Sequence, residues 1–359
     1  MHRLILIALA LALAGCASLG YYGQAIGGHL SILGRTRPID ELLTDPTLAP
    51  ELKQRLERVL AIRAFATRSL GLPDNDSYRR YADLERPFAV WNVFAAPELS
   101  LKAMEWCFMF AGCVAYRGYF AQIDAEREAA QLRAAGYEVY VGGVVAYSTL
   151  GWFDDPLLNT MLARPEPELA GLIFHELAHQ KIYVRDDTAF NESFAMTIER
   201  EGVRRWLAAH NTETQYATYM ERARRREEFT ALLLVYRLRL EELYASDFSD
   251  DDKRSAKGEV FHALRRDYDE MKKLWGGYAG FDSGMENLNN AKLLSIGLYH
   301  DHVAAFESLL AHHGRELAAF YRAVTDLARL PKAARDAALA SLGANPPGAS
   351  AISRMGTQQ

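Results

Sequence analysis

Residues Phe174 to Ala195 read FHELAHQKIYVRDDTAFNESFA. Within them, His175 and His179 stand four apart with Glu176 between, and an acidic cluster follows. On a helix, residues four apart share a face, so both imidazoles can reach one metal ion from the same side. Glu176 points about a quarter-turn away. There it can handle the proton of an attacking water without occupying the metal. The flanking AGLIF (Ala170 to Phe174) is apolar, as suits a helix buried behind a site.

A catalytic zinc site needs three protein ligands and one open position. No histidine follows at close spacing, because Arg185 and Asp186 occupy that region, so the third ligand must be an acid from the next helix. Asp187 or Thr188 can cap that helix, which makes capping the expected role of the connector acids Asp186 and Asp187. Glu192 and Glu199 then lie seven apart on one face, separated by about 10 Å along the axis. Only one of them can reach the metal.

The rest of the chain fits an α+β class. Pro50 opens a helix that runs to Leu70 and is stopped by Gly71 and Pro73. PFAVWNVFAAP (Pro87 to Pro97) alternates as a strand does, and a second strand is expected around Cys113. A charged helix covers 123–135. YEVYVGGVVAYSTLGW (Tyr137 to Trp152) is the densest strand candidate, with Gly142 and Gly143 expected to form a bulge or tight turn. Tyr21 to Leu33 is Gly-rich and weakly apolar, a surface stretch or short helix. From Pro167 onward the pattern is helical, with helices expected at 167–183, 188–210, 213–245, 253–275, 286–313 and 315–329. The sum is a small mixed sheet in the first half and a mainly helical second half around the histidine helix.

Composition excludes some functions. The 359 residues carry 41 basic and 46 acidic groups, a net charge of −5, and no basic face for nucleic acid. SDFSDDDKR (Ser246 to Arg254) lacks the alternating acids and central glycine of a calcium loop.

The amino terminus, MHRLILIALALALAGC, places Arg3 before an apolar run too short to span a bilayer. LAGC (Leu13 to Cys16) resembles a bacterial lipobox. That resemblance implies a signal peptide over 1–15 and a lipid on Cys16. With Ala17 next, it also implies an outer-membrane address facing the periplasm. In that oxidising setting Cys107 and Cys113 form an even pair open to a disulfide. The expected domain spans 16–339, with a disordered tail over 340–359.

HELAH followed by NESFA resembles the gluzincin metallopeptidases. WCFMFAGCVAYRGYF, GGVVAYSTLGWFDDPLL, FHELAHQ, NESFA and LNNAKLLSIGLYH together resemble the bacterial family of predicted aminopeptidases over nearly the whole mature chain. The resemblance implies a zincin-like fold, one zinc ion, a peptide substrate, and a membrane contact through the lipid. It implies no protein partner. It also orders the acids. The family's usual spacing would pick Glu199, with nineteen residues between it and His179, but the Asn-Glu context picks Glu192 after a twelve-residue connector. Asn191 then anchors the helix start, and Glu199 supports a zinc-bound histidine from behind. For the oxyanion donor the resemblance points to Tyr299 or His300 in GLYHDH, with Tyr147 on the long strand as the alternative. Val144 to Thr149 could pair with substrate backbone, and Asp154 or Asp155 could meet a free ammonium.

Overall fold

The structure, a computed structural model, describes residues 20–108, 112–146, 154–210, 212–296 and 302–344. It is a mixed α+β fold, mostly helical with small sheets. The described residues divide into two compact units. Those within 20–35, 84–146 and 220–296 form the first, and those within 36–83, 154–219 and 302–344 the second.

In the first unit, helix α1 (20–34) precedes a three-stranded antiparallel sheet. That sheet consists of β3 (Val90–Pro97) between β6 (Arg117–Tyr119) and β7 (Tyr137–Val144). Trp91, Val93 and Ala95 alternate inward on β3 and pack with Tyr119 and Val139 against Ala125, Ala129 and Leu132 of α4 (Gln122–Ala134). Beside it, β4 (Trp106–Phe108) and β5 (Gly112–Val114) pair antiparallel, and Cys107 and Cys113 face each other across them in a disulfide.

No bulge forms at Gly142 and Gly143. They pair in register with Asn92 and Trp91. The glycines are required by close approach instead. A Cβ at Gly143 would fall 2.3 Å from the Phe88 ring, and one at Gly142 2.9 Å from Tyr140.

The later helices of this unit are the continuation of α8 (Glu213–Ala245), then α9 (Asp250–Leu274), α10 (Asp282–Met285) and α11 (Asn290–Ser295). They bury Phe229, Tyr236, Leu240, Phe261, Leu264 and Trp275 in a second core. The single helix expected over 286–313 is broken. Glu286 is extended, Asn287 has φ +46°, and Asn289 caps α11 by accepting the Lys292 N–H. Asn290, fully buried, donates its amide to the carbonyls of Pro97, Glu98 and Ser100. Those tertiary bonds reward a short capped helix over a continuous one.

The second unit holds a three-stranded mixed sheet. β2 (Arg80–Ala82) pairs antiparallel with β1 (Arg37–Pro38) and parallel with β8 (Leu157–Leu158). Among the described residues the strands are thus shared among three small sheets rather than one. Around this sheet lie α2 (Ile39–Leu43), α3 (Pro50–Leu70), α5 (Asn159–Leu162), α6 (Glu166–Lys181) and α7 (Thr188–Ala209). The carboxyl-terminal helices α12 (Val303–His312), α13 (Leu317–Ala328) and α14 (Lys332–Ala344) complete it. Gly71, at φ +64°, closes α3 in the left-handed conformation that glycine adopts without strain.

Two ion-pair clusters hold α7 in place. Asp187, 2 % exposed at its side chain, caps the helix by accepting the Phe190 N–H and takes two bonds from Arg335 of α14. The sequence reading found no helix there; α14 reaches Ala344, so residues 340–344, expected as tail, belong to it. Further along α7, buried Glu201 accepts from Arg204, Arg205 and Arg315. Burial alone would raise its pKa, but those guanidinium bonds pull it down to about 2. A folded-state pKa below the unfolded value of 4.5 means stability that is present above that pH and is lost as pH falls towards 2. Denaturant titrations at pH 6 and pH 3 should therefore show wild type losing more stability on acidification than Glu201→Gln. Equal losses in the two proteins would remove Glu201 as the acid-sensitive group.

Candidate active site

The segment PEPELAGLIFHELAHQK begins α6 at a proline-rich start. Pro165 precedes it, Pro167 sits in its first turn, and Glu166 and Glu168 complement the helix dipole there. Leu169, Ile173, Phe174 and Leu177 are buried, Phe174 against Phe65 of α3. That burial orients the opposite face, which carries His175 and His179.

α6 ends at Lys181, with extended Ile182 as its cap, and α7 returns after a short connector. Asn191 sets its length. Its side-chain oxygen accepts the Val184 N–H at 2.8 Å, and its amide donates to the Val184 carbonyl at 2.7 Å. With Asp187 capping, and Asp186 in the connector at φ +61°, this clamp fixes the first turn of α7.

Glu192 follows directly. Its two oxygens lie 3.3 Å from His175 Nε2 and 3.6 Å from His179 Nε2, and the two Nε2 atoms are 3.1 Å apart. Among the described residues this trio is the only group of histidine, cysteine and acidic side chains close enough to hold a metal ion.

The spacing tests whether zinc fits. Tetrahedral zinc with ligand bonds of about 2.0–2.1 Å requires donor atoms about 3.3 Å apart. The three separations bracket that value, and two imidazoles with one carboxylate are a zinc donor set. The residues fit the ion.

Glu199 takes a different place. Its Oε2 lies 3.1 Å from His175 Nδ1, the nitrogen facing away from Glu192, and Tyr219 donates its hydroxyl to Oε1 at 2.9 Å. The carboxylate thus fixes the ring and leaves Nε2 directed at the site. Gly171, one turn before His175, makes room: a Cβ there would be 3.1 Å from Glu199 Cγ. By contrast, buried Nδ1 of His179 finds no hydrogen-bond partner among the described residues.

Electrostatics mark the same point. Burial disfavours a proton on either ring. At His175 the bonds to Glu192 and Glu199, with the charges of Glu199 and Glu176, outweigh burial and raise the pKa to about 10. At His179 burial and the charge on His175 lower it to about 4.

Glu176 lies half-buried between the histidines. Tyr78 stands in the same unit, buried, with φ +63° and its N–H bonded to the Asp155 carbonyl at 2.7 Å. Burial first, then the charges of Glu176 and Asp155, push its phenol well above the ordinary range. It stays neutral. Asp155 is buried too, and Ser77 accepts both its N–H and the amide of Gln180. That packs it beside the end of α6. Asp154 is exposed.

Cys16, Tyr147, Tyr299 and His300 lie outside the described residues, as do residues 147–149 of the stretch expected to pair with substrate. The described part, β7, is an edge of its sheet and ends at Val144. Neither Tyr219 nor Gly171 is among the residues expected from the sequence. A lone glycine inside an apolar helix was a usable signal for close packing; nothing local marks Tyr219. If the trio holds zinc, replacing Tyr219 by Phe should weaken its affinity by about tenfold through the loosened Glu199. Competition with a chromogenic chelator measures it, and an unchanged affinity would show that Glu199 is held without the hydroxyl.

No curated protein and no solved structure matches the chain. The family described as Putative aminopeptidase matches over residues 20–339. A match covering that much of the 359 residues settles the relationship: the chain belongs to that family.

Proposed function

We propose that the protein is a zinc-dependent peptidase of gluzincin type and zincin-like fold, acting as an aminopeptidase from a lipid anchor in the bacterial envelope. The observation that carries this reading is the convergence of His175 Nε2, His179 Nε2 and the Glu192 carboxylate within 3.1–3.6 Å of one another. Family membership supports peptide hydrolysis in general. Support for the anchor comes from LAGC at Leu13–Cys16. No helix among the described residues is long and apolar enough to cross a membrane.

His175, His179 and Glu192 hold the ion. When bound, zinc polarises the scissile carbonyl and makes water a competent nucleophile near neutral pH. Glu176 takes the proton of the attacking water on its carboxylate and delivers it to the departing amine. Glu199 keeps the His175 ring in the tautomer whose Nε2 lone pair faces the site. Tyr299, or Tyr147, donates a hydrogen bond to the oxygen that gains charge.

The test is a peptide mixture with free and acetylated amino termini, read by mass spectrometry. One zinc per chain is expected, with hydrolysis lost on chelation and restored by zinc. Stepwise loss of residues from free amino termini identifies an aminopeptidase; internal cleavage of acetylated peptides identifies an endopeptidase. A chain that retains stoichiometric zinc yet cleaves nothing is a metal-binding scaffold, and the enzymatic reading fails.

A further inference from the structure

α1 has two unlike faces. Inward, Tyr21 packs edge-on to Tyr119 at 5.8 Å under the Arg117 guanidinium. Gln24 bonds both the Gly118 carbonyl and the Phe120 N–H. Gly28 abuts Phe120 so closely that a Cβ would fall 2.2 Å from its ring, and Ile32 is 1 % exposed. These contacts dock the helix on the first unit.

The outward face is apolar and open. Ile26 is 60 % exposed and Leu30 59 %. Gly23, Gly27 and Gly34 flank them on the same stripe, and a Cβ at any of the three would meet nothing within 4 Å. The sequence of α1, GYYGQAIGGHLSILG, contains no aspartate, glutamate, lysine or arginine. Glycine disfavours an exposed helix, and an uncharged stripe disfavours water. Both features suit a helix whose outer face meets an apolar medium.

We propose that this face rests in the interfacial layer of a phospholipid bilayer, with Ile26 and Leu30 inserted among the acyl chains. The inference rests on the reading of Cys16 as the lipidated residue. Three residues, Ala17 to Leu19, separate Cys16 from Gly20. However they are arranged, they span at most about 14 Å. The start of α1 is therefore held at the membrane surface by the anchor itself, and that surface is the apolar medium within reach. A single anchor leaves a protein free to swivel. A helix laid alongside it gives a second attachment and fixes the orientation of the first unit. Because α1 has no charged side chain, insertion should depend on acyl chains rather than on anionic headgroups.

The acylated chain offers its own labelling scheme. With Cys16 acylated and Cys107 bridged to Cys113, Ile26→Cys, Leu30→Cys or Asp251→Cys each adds one free thiol for a nitroxide. In phosphatidylcholine vesicles, collisions with a water-soluble nickel chelate should be roughly tenfold fewer at positions 26 and 30 than at exposed Asp251. Collisions with oxygen should be more frequent there, unchanged by added salt or by anionic lipid. Chelate access at 26 and 30 equal to that at 251, in protein that still floats with the vesicles, would overturn the proposal while leaving the anchor intact. Spin–spin broadening between labels on different chains would assign the face to a second copy and overturn it equally. Absence of an acyl mass on Cys16 would instead remove the anchor reading, and this proposal with it.

Discussion

Glu176→Gln should reduce kcat/KM for peptide hydrolysis by roughly 1,000-fold while leaving zinc content at the wild-type level. General acid–base groups contribute about 100- to 10,000-fold, and the amide of glutamine has the shape of the carboxylate without its basicity. Glu176 is half-buried, and its charge acts on both His175 and Tyr78. Glutamine keeps the size and half-buried packing of the glutamate, so no loss of folding stability should accompany the loss of rate. Thermal unfolding and metal analysis on the same preparation separate the two effects. Activity within tenfold of wild type would take the general base away from Glu176. Loss of metal together with activity would show that it acts through the ion's affinity.

Glu192→Ala should abolish tight zinc binding, and Glu199→Ala should only weaken it. The contrast follows from where each carboxylate stands. Glu192 faces both Nε2 atoms at 3.3 and 3.6 Å, so its removal would take away one of the three proposed ligands. Glu199 reaches only the far nitrogen of His175. Supporting groups of this kind change metal affinity by about 10- to 100-fold; a lost ligand should exceed that range. Zinc affinity measured against a competing chelator distinguishes them. If Glu199→Ala loses the metal and Glu192→Ala keeps it, the ligand assignment is inverted and α7 must sit differently against α6.

Much of this site could be read before the structure. α6 was legible because its signals are local, with a proline start, an apolar face, and two histidines one turn apart. α7 was legible from Asp187 followed by a helical pattern. Choosing between Glu192 and Glu199 required sequence context, since spacing alone favoured the other acid. The clamp from Asn191 to Val184 explains why a twelve-residue connector suffices, and it involves backbone groups that no pattern displays. Tyr219 approaches Glu199 from a helix that starts fourteen residues after it. That is tertiary information.

Elsewhere the same division holds. The interrupted helix at 286–313 reads as continuous until Asn289 and Asn290 are seen bonding across to other segments. α14 is Ala-rich and resembles a tail until Arg335 is found buried against Asp187. Local propensity is a weak guide wherever long-range bonds choose the boundary.

The pairing of Asp187 with Arg335 ties α7, which carries part of the candidate site, to the last helix among the described residues. A chain clipped by a protease ahead of Lys332 would retain the histidines, the base and both glutamates. It would lack the guanidinium that neutralises the carboxylate starting α7, one turn before Glu192. Cleavage at a remote and dispensable-looking end would therefore reach the candidate site through one helix cap, and the proposed activity would depend on an intact α14.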